Sequence, residues 1–120
     1  METLAQIGVT DDNLQCLEKL KSYGYIDELQ EGVRFAASIA LSKKLYQGHN
    51  LMKIGTKLNT RWNTDLVDPG SYFRDIIKHL NLCPENYGVG LRSLIILGLD
   101  YIYEKIKDQD IVLIGGILDV

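Results

Sequence analysis

The block LRSLIILGL, Leu91 to Leu99, constrains this chain more than any other stretch. Wound at 3.6 residues per turn, its apolar side chains cover nearly the whole circumference of a helix. Such a segment has to be enclosed, either as the central helix of a core or at an interface between copies. The helix predicted around it opens at Pro84 and Glu85 and buries Leu91, Leu94, Ile95, Leu97, Tyr101 or Ile102, and Ile106. Lys105 and Lys107 suit the negative end of its dipole. A length of 120 residues, 46% of them hydrophobic, gives one domain with a real core. We read residues 1–120 as that domain, in three parts: strand-helix-helix over 1–46, a connection over 47–67, and a helical part over 68–120 ending in an apolar tail.

The remaining elements follow in chain order. Leu4 to Thr10 alternates Ala5, Ile7 and Val9 against Leu4, Gln6 and Gly8, the period-2 pattern of a short strand. Thr10 or Asp11 caps a first helix with Leu14, Cys16, Leu17, Leu20 and Tyr23 on its inner stripe, and Gly24 stops it. Asp27 caps a second helix with an inner face of Leu29, Val33, Phe35 or Ala36, Ile39, Ala40 and Leu45. Ala36, Ala37, Ser38 and Ala40 permit close approach by another helix, from the same chain or a second copy. Gly32 costs that helix about 1 kcal/mol relative to Ala, so either close packing compensates or the helix begins later.

Residues 46–70 hold isolated glycines, several Asn and Thr, and no sustained apolar period, which predicts a long connection. Asp68 and Pro69 then read as cap and first residue of a helix to about Leu80, burying Tyr72 or Phe73, Ile76, Ile77 and Leu80. The closing run IVLIGGILDV suits a short strand or a contact with another chain. The expected fold is mainly α: a short N-terminal strand, about four helices and a possible short C-terminal strand.

The formal charge of −3 is unevenly spread. Gly32 to Thr64 contains no Asp or Glu and carries Arg34, Lys43, Lys44, Lys53, Lys57 and Arg61, while both flanking parts are net acidic. Phosphate binding needs several cations without intervening carboxylates, which would cancel the local potential. Lys53, Lys57 and Arg61, four apart, would line one side of a short helix. Three blander assignments compete: Lys43 and Lys44 complement a helix end, Arg34 pairs with Glu31 or Asp27, and the rest are solvated loop charges. Trp62 and Tyr46 could stack on unpaired bases, although pinning the loop to the core is the commoner use of such side chains.

Nothing in the chain spells out catalysis. His79 and Cys83 stand four apart, but two His and two Cys in all are too few for a convincing zinc site. Both thiols, Cys16 and Cys83, read as buried and free. Asp68 of the pair Asp65 and Asp68 already has a capping role, and Gly88-Val-Gly90 lacks the third glycine and preceding strand of a dinucleotide fingerprint. The expectation is a cytoplasmic non-enzyme with no cofactor, no metal site and no membrane span, lacking the basic-then-apolar start of a secretory signal.

The order of LAQIGVT, DDNLQCLEKLKSYGY and GYIDELQEGVRFAASIAL resembles the ribbon-helix-helix family of DNA-binding proteins. The resemblance covers little more than a third of the chain. It implies that two chains pair N-terminal strands into a ribbon with the helices interlocked beneath. The strand departs from the family where bases are read, offering Leu4, Gln6 and Gly8 and no Arg or Lys. The same core is similar to that of the small E subunit of the bacterial DNA phosphorothioation machinery, which implies an oligomeric helical protein with nucleic-acid affinity. Two functions are therefore expected: a homo-oligomer that holds DNA through its phosphates as an accessory or regulatory factor, or a subunit docking on a larger enzyme without touching nucleic acid.

Overall fold

The computed structural model describes residues 6–54, 59–84 and 86–106, with the backbone alone for Gln6, Lys53 and residues 59–61. The chain is mainly helical. Strand β1 (Gln6–Val9) leads into α1 (Asp11–Ser22) and α2 (Leu29–Ser42). A 3-10 turn at Leu51–Lys53, strand β2 (Asn59–Asn63) and the single-turn α3 (Thr64–Val67) follow. Then come a 3-10 turn at Pro69–Ser71, α4 (Tyr72–His79) and the long α5 (Tyr87–Ile106). The predicted tail strand, and Lys57 with it, lie outside the described residues.

Helix α5 is the central element, as its apolar circumference requires. Leu91, Leu94, Ile95, Leu99, Ile102 and Ile106 are all buried, and α2, α1, α4 and β1 pack around them. Its cap is Asn86, two residues beyond the predicted opening, whose Oδ1 accepts from the Val89 amide at 3.1 Å. The closest approach is to α2. A Cβ placed on Gly98 would collide with the Ala36 carbonyl group, so the two helices touch backbone to backbone at that point. Small residues on α2 find their counterpart in a glycine on α5.

Helix α1 is fixed at its start by a reciprocal cap: Thr10 Oγ1 accepts from the Asn13 amide at 3.1 Å, and Asn13 Oδ1 accepts from the Thr10 amide at 3.3 Å. Cys16, Leu17 and Leu20 are buried, and Leu14 and Tyr23 pack on the core edge. In α2 the N-cap is Glu28 rather than Asp27, and Glu31 Oε1 closes a capping box by accepting from the Asp27 and Glu28 amides at 3.2 and 2.9 Å. Gly32 lies inside this helix. A Cβ there would stand 3.0 Å from Ile26 Cδ1 and closer still to Leu17 Cδ2, so packing offsets its poor propensity.

The connection is more structured than its sequence suggests. β1 and β2 pair antiparallel within the chain, Ile7 opposite Trp62 and Val9 opposite Asn59. The register shifts between Ile7 and Gly8, so that Arg61 faces no partner. The 3-10 turn is tied to α5 by Ser93 Oγ donating to the Leu51 carbonyl at 2.5 Å, a fully buried bond.

Asp68 caps, but further along than predicted. Gly70 and Ser71 adopt left-handed φ of +77° and +60°, which turns the chain so that the helix starts at Tyr72. The buried carboxylate then takes the Phe73 amide at 2.8 Å and the Arg74 amide at 3.0 Å, satisfying two orphan donors of α4. Phe73 and Ile77 go inside. Tyr72 and Leu80 remain 65% and 45% exposed.

Candidate nucleic-acid interface

The six cations of the acid-free stretch do not occupy one element. Arg34 sits on α2, half-buried, with a buried Nε that makes no hydrogen bond among the described residues. Lys43 is the C-cap of α2, and Lys44, exposed and at a left-handed φ of +54°, follows it. Lys53 ends the 3-10 turn and Arg61 marks the register shift in β2. The helix that would have aligned Lys53, Lys57 and Arg61 is absent: Lys53 and Arg61 belong to a 3-10 turn and a strand. That alignment is corrected, because β1 draws residues 59–63 into an extended conformation.

Among the described residues a convergence forms at Tyr101, and it recruits residues from outside the stretch. Tyr101 of α5 has the Lys43 ammonium 5.7 Å and the Lys105 ammonium 5.3 Å from its ring centroid. An aromatic face attracts a cation through its quadrupole, so one ring draws in two ammonium groups from different parts of the chain. Tyr101 Oη is buried without a hydrogen-bond partner among the described residues, leaving the ring face as this residue's polar contribution. Lys43, Lys44 and Lys105 thus form a basic corner where α2 and α5 end. Lys105 and Tyr101 escape a search for acid-free sequence because Glu104 precedes Lys105 and Asp108 follows closely. Helical spacing was the available signal, since Tyr101 and Lys105 are four apart on one face.

The neighbouring side of α5 has the opposite sign. Asp12, Asn13, Asp100, Tyr103 and Glu104 line a hollow of about 390 Å³. Asn13 Nδ2 donates to Asp100 Oδ1 at 2.9 Å. Partial burial raises the Asp100 pKa; the Asn13 bond opposes this, and the charges of Asp12 and Glu104 add to it. Below, the Cys16 thiol points at the Leu99 carbonyl, Sγ to O 3.7 Å, and burial, helped by the Asp100 charge, pushes its pKa up to about 12. This thiol is held protonated and inert.

The other candidates separate cleanly. Trp62 and Tyr46 are partly buried against the core, the packing role, rather than displayed for stacking. His79 closes α4 and is exposed, while Cys83 follows the turn at a left-handed φ of +54° and is half-buried, less enclosed than expected. Both cysteines are free thiols. Among the described residues no three His, Cys, Asp or Glu side chains cluster as metal ligands would. Gly88 and Gly90 lie in the first turn of α5, where a Cβ on Gly90 would stand 3.0 Å from that of Cys83, a packing reason for glycine. No described helix is long and apolar enough to cross a membrane. No family model matches the chain, and neither a curated protein nor a solved structure matches it.

Proposed function

We propose that this protein is a non-catalytic accessory factor that holds DNA through its phosphates at the basic corner of Lys43, Lys44 and Lys105, working as a homo-oligomer. The observation that carries the reading is the pair of ammonium groups gathered from two helices over the Tyr101 ring. Cations drawn to one ring create a local potential in a net-acidic molecule, and a phosphate backbone is the complementary surface. Arg34, Lys53, Lys57 and Arg61 extend this corner in the assembled oligomer. Contacts of this kind position the duplex without reading bases, in keeping with a β1 that offers no cation.

The test is a duplex-binding titration at several salt concentrations. Each phosphate contact contributes about 0.9 to the slope of log affinity against log salt. Changing Lys43, Lys44 and Lys105 together to Glu should flatten that slope by about 3 per protomer and cost most of the affinity. Changing Lys21, Arg74 and Lys78 together to Glu, three cations away from the corner, is the charge-matched control for general repulsion. Equal losses in both variants, or none in either, would overturn the reading. The second reading, a subunit docking on a larger enzyme, is favoured by Leu66, Tyr72 and Leu80, large apolar side chains that stand 52%, 65% and 45% exposed at α3 and α4. It gains if the lysine changes leave DNA affinity unaltered.

A further inference from the structure

Helix α4 carries two apolar stripes, and the core takes only one of them. Phe73 and Ile77 are buried. Tyr72, Ile76 and the C-cap residue Leu80, spaced four apart, form the other, with Tyr72 and Leu80 exposed and Ile76 half-buried. The Tyr72 ring stands edge-on to Phe73, 5.4 Å between centroids and 76° between planes, so it is held in place although it lies outside the core. Apolar side chains at helical spacing on an outer face form a ridge that another helix can meet.

The charges beside the ridge indicate what meets it. Asp75 stands in the first turn of α4 and His79 at its end, both exposed. At about 100° per residue they border the ridge on the side away from Phe73 and Ile77, whereas Arg74 and Lys78 fall on the far side of the helix. The pattern is self-complementary under a half-turn. With a second copy of α4 turned end over end about an axis at Ile76, Ile76 meets Ile76 and Tyr72 meets Leu80. Asp75 of each copy then comes opposite His79 of the other, where the imidazole N–H donates to the carboxylate. A ridge of residues four apart also interdigitates with its own copy, at a crossing angle of about −50°. A different protein would place no such symmetry on α4.

We propose that two copies of this chain associate through α4, packed antiparallel across a two-fold axis at Ile76. The pairing supplies an interface for the homo-oligomer of the proposed function and rests on that part of the reading alone, not on the contact with DNA. It is a small contact. Eight residues of helix span about 12 Å, so each copy buries less than the roughly 800 Å² of a standard interface, and a dissociation constant on the order of 100 μM is expected.

The experiment is sedimentation of the full-length chain in reducing buffer, without DNA, from about 10 μM to about 1 mM, a range that brackets this constant. A reversible monomer–dimer equilibrium is expected. Tyr72→Ser with Leu80→Asn should weaken it by at least about tenfold, while Tyr103→Ser, which removes an exposed aromatic side chain from α5, should leave it unchanged. Asp75→Arg should weaken the dimer by about tenfold, because the lost contact occurs twice, and adding His79→Glu should restore it. Circular dichroism verifies that each variant is folded. A chain still monomeric at the highest concentration would overturn the proposal and leave the face to a different protein. So would a dimer indifferent to Tyr72→Ser with Leu80→Asn, one weakened equally by Tyr103→Ser, or an exchange of charges that restores nothing. A dimer that behaves as expected yet shows no salt-dependent duplex binding would uphold this pairing and remove the DNA reading instead.

Discussion

Helix α5 is gripped on two flanks by different means. Against α1 the contacts are polar and directional: Asn13 donates to Asp100, the Cys16 thiol to the Leu99 carbonyl, and the Lys19 ammonium to the Ile106 carbonyl at 2.9 Å. Against α2 the contact is steric, the Ala36 backbone resting on Gly98 with no room for a methyl group. The polar flank fixes where along its axis α1 sits, because each bond has one acceptor. The steric flank fixes how near α2 comes, and tolerates no bulk. Charge is divided too: Asp12, Asp100 and Glu104 line the hollow beside α1, while Lys43 and Lys105 flank Tyr101 on the α2 side, and Lys19 stands as a cation on the α1 flank.

Breaking the steric flank should have the largest effect. Gly98→Val forces a branched side chain into the Ala36 backbone, which unlike a flexible side chain cannot swing away, and the expected loss is about 3 kcal/mol or more. Gly98→Ala should cost about 1–3 kcal/mol. Urea denaturation measures both, and an alanine variant as stable as the parent would show that the crossing is looser than described. On the polar flank, Asn13→Ala removes half of the α1 capping box together with the donor to Asp100. The expected loss is about 1–2 kcal/mol, read from the same midpoint shift.

The smallest effect sharpens the charge division and has the opposite sign. The folded-state pKa of Asp100 is raised, so its proton favours the native protein, and ionisation costs stability as pH rises through that folded pKa. Asp100→Asn keeps an oxygen to accept from Asn13 and discards the charge beside Asp12 and Glu104. It should therefore raise the melting temperature slightly at neutral pH. The advantage should fade on acidification and be gone below about 3.9, the ordinary value for an unfolded aspartate. A gain that persists at low pH would assign the effect to packing instead.

The helices were legible because their signals are local. The stripe of Cys16, Leu17 and Leu20, the apolar run of α5 and Ala36, Ala37 and Ala40 of α2 all follow from periodicity, and the structure buries them accordingly, leaving only Ser38 of that small-residue group exposed. Strand β2 was not legible: NTRWN has no apolar alternation, and it is extended because β1 supplies its partners 50 to 57 residues earlier. The delayed start of α4 was hidden for a related reason. Pro69 is a good first helical residue, but the left-handed pair Gly70 and Ser71 depends on Asp68 reaching over to the Phe73 and Arg74 amides. At the candidate site the sequence showed which cations lack acidic neighbours along the chain. It could not show that Lys43 and Lys105 both approach the Tyr101 ring, because that arrangement is created by the packing of α2 on α5.

The bond from Lys19 to the Ile106 carbonyl has a consequence for direction. Asn13 lies by Asp100 and Lys19 by Ile106, so α1 and α5 run the same way and their dipoles point alike. Parallel dipoles side by side repel, and one ammonium between the two helices offsets that repulsion. Lys19 is in this sense a buckle: acetylating it would remove the charge that reconciles two aligned helices while leaving their apolar side chains unchanged.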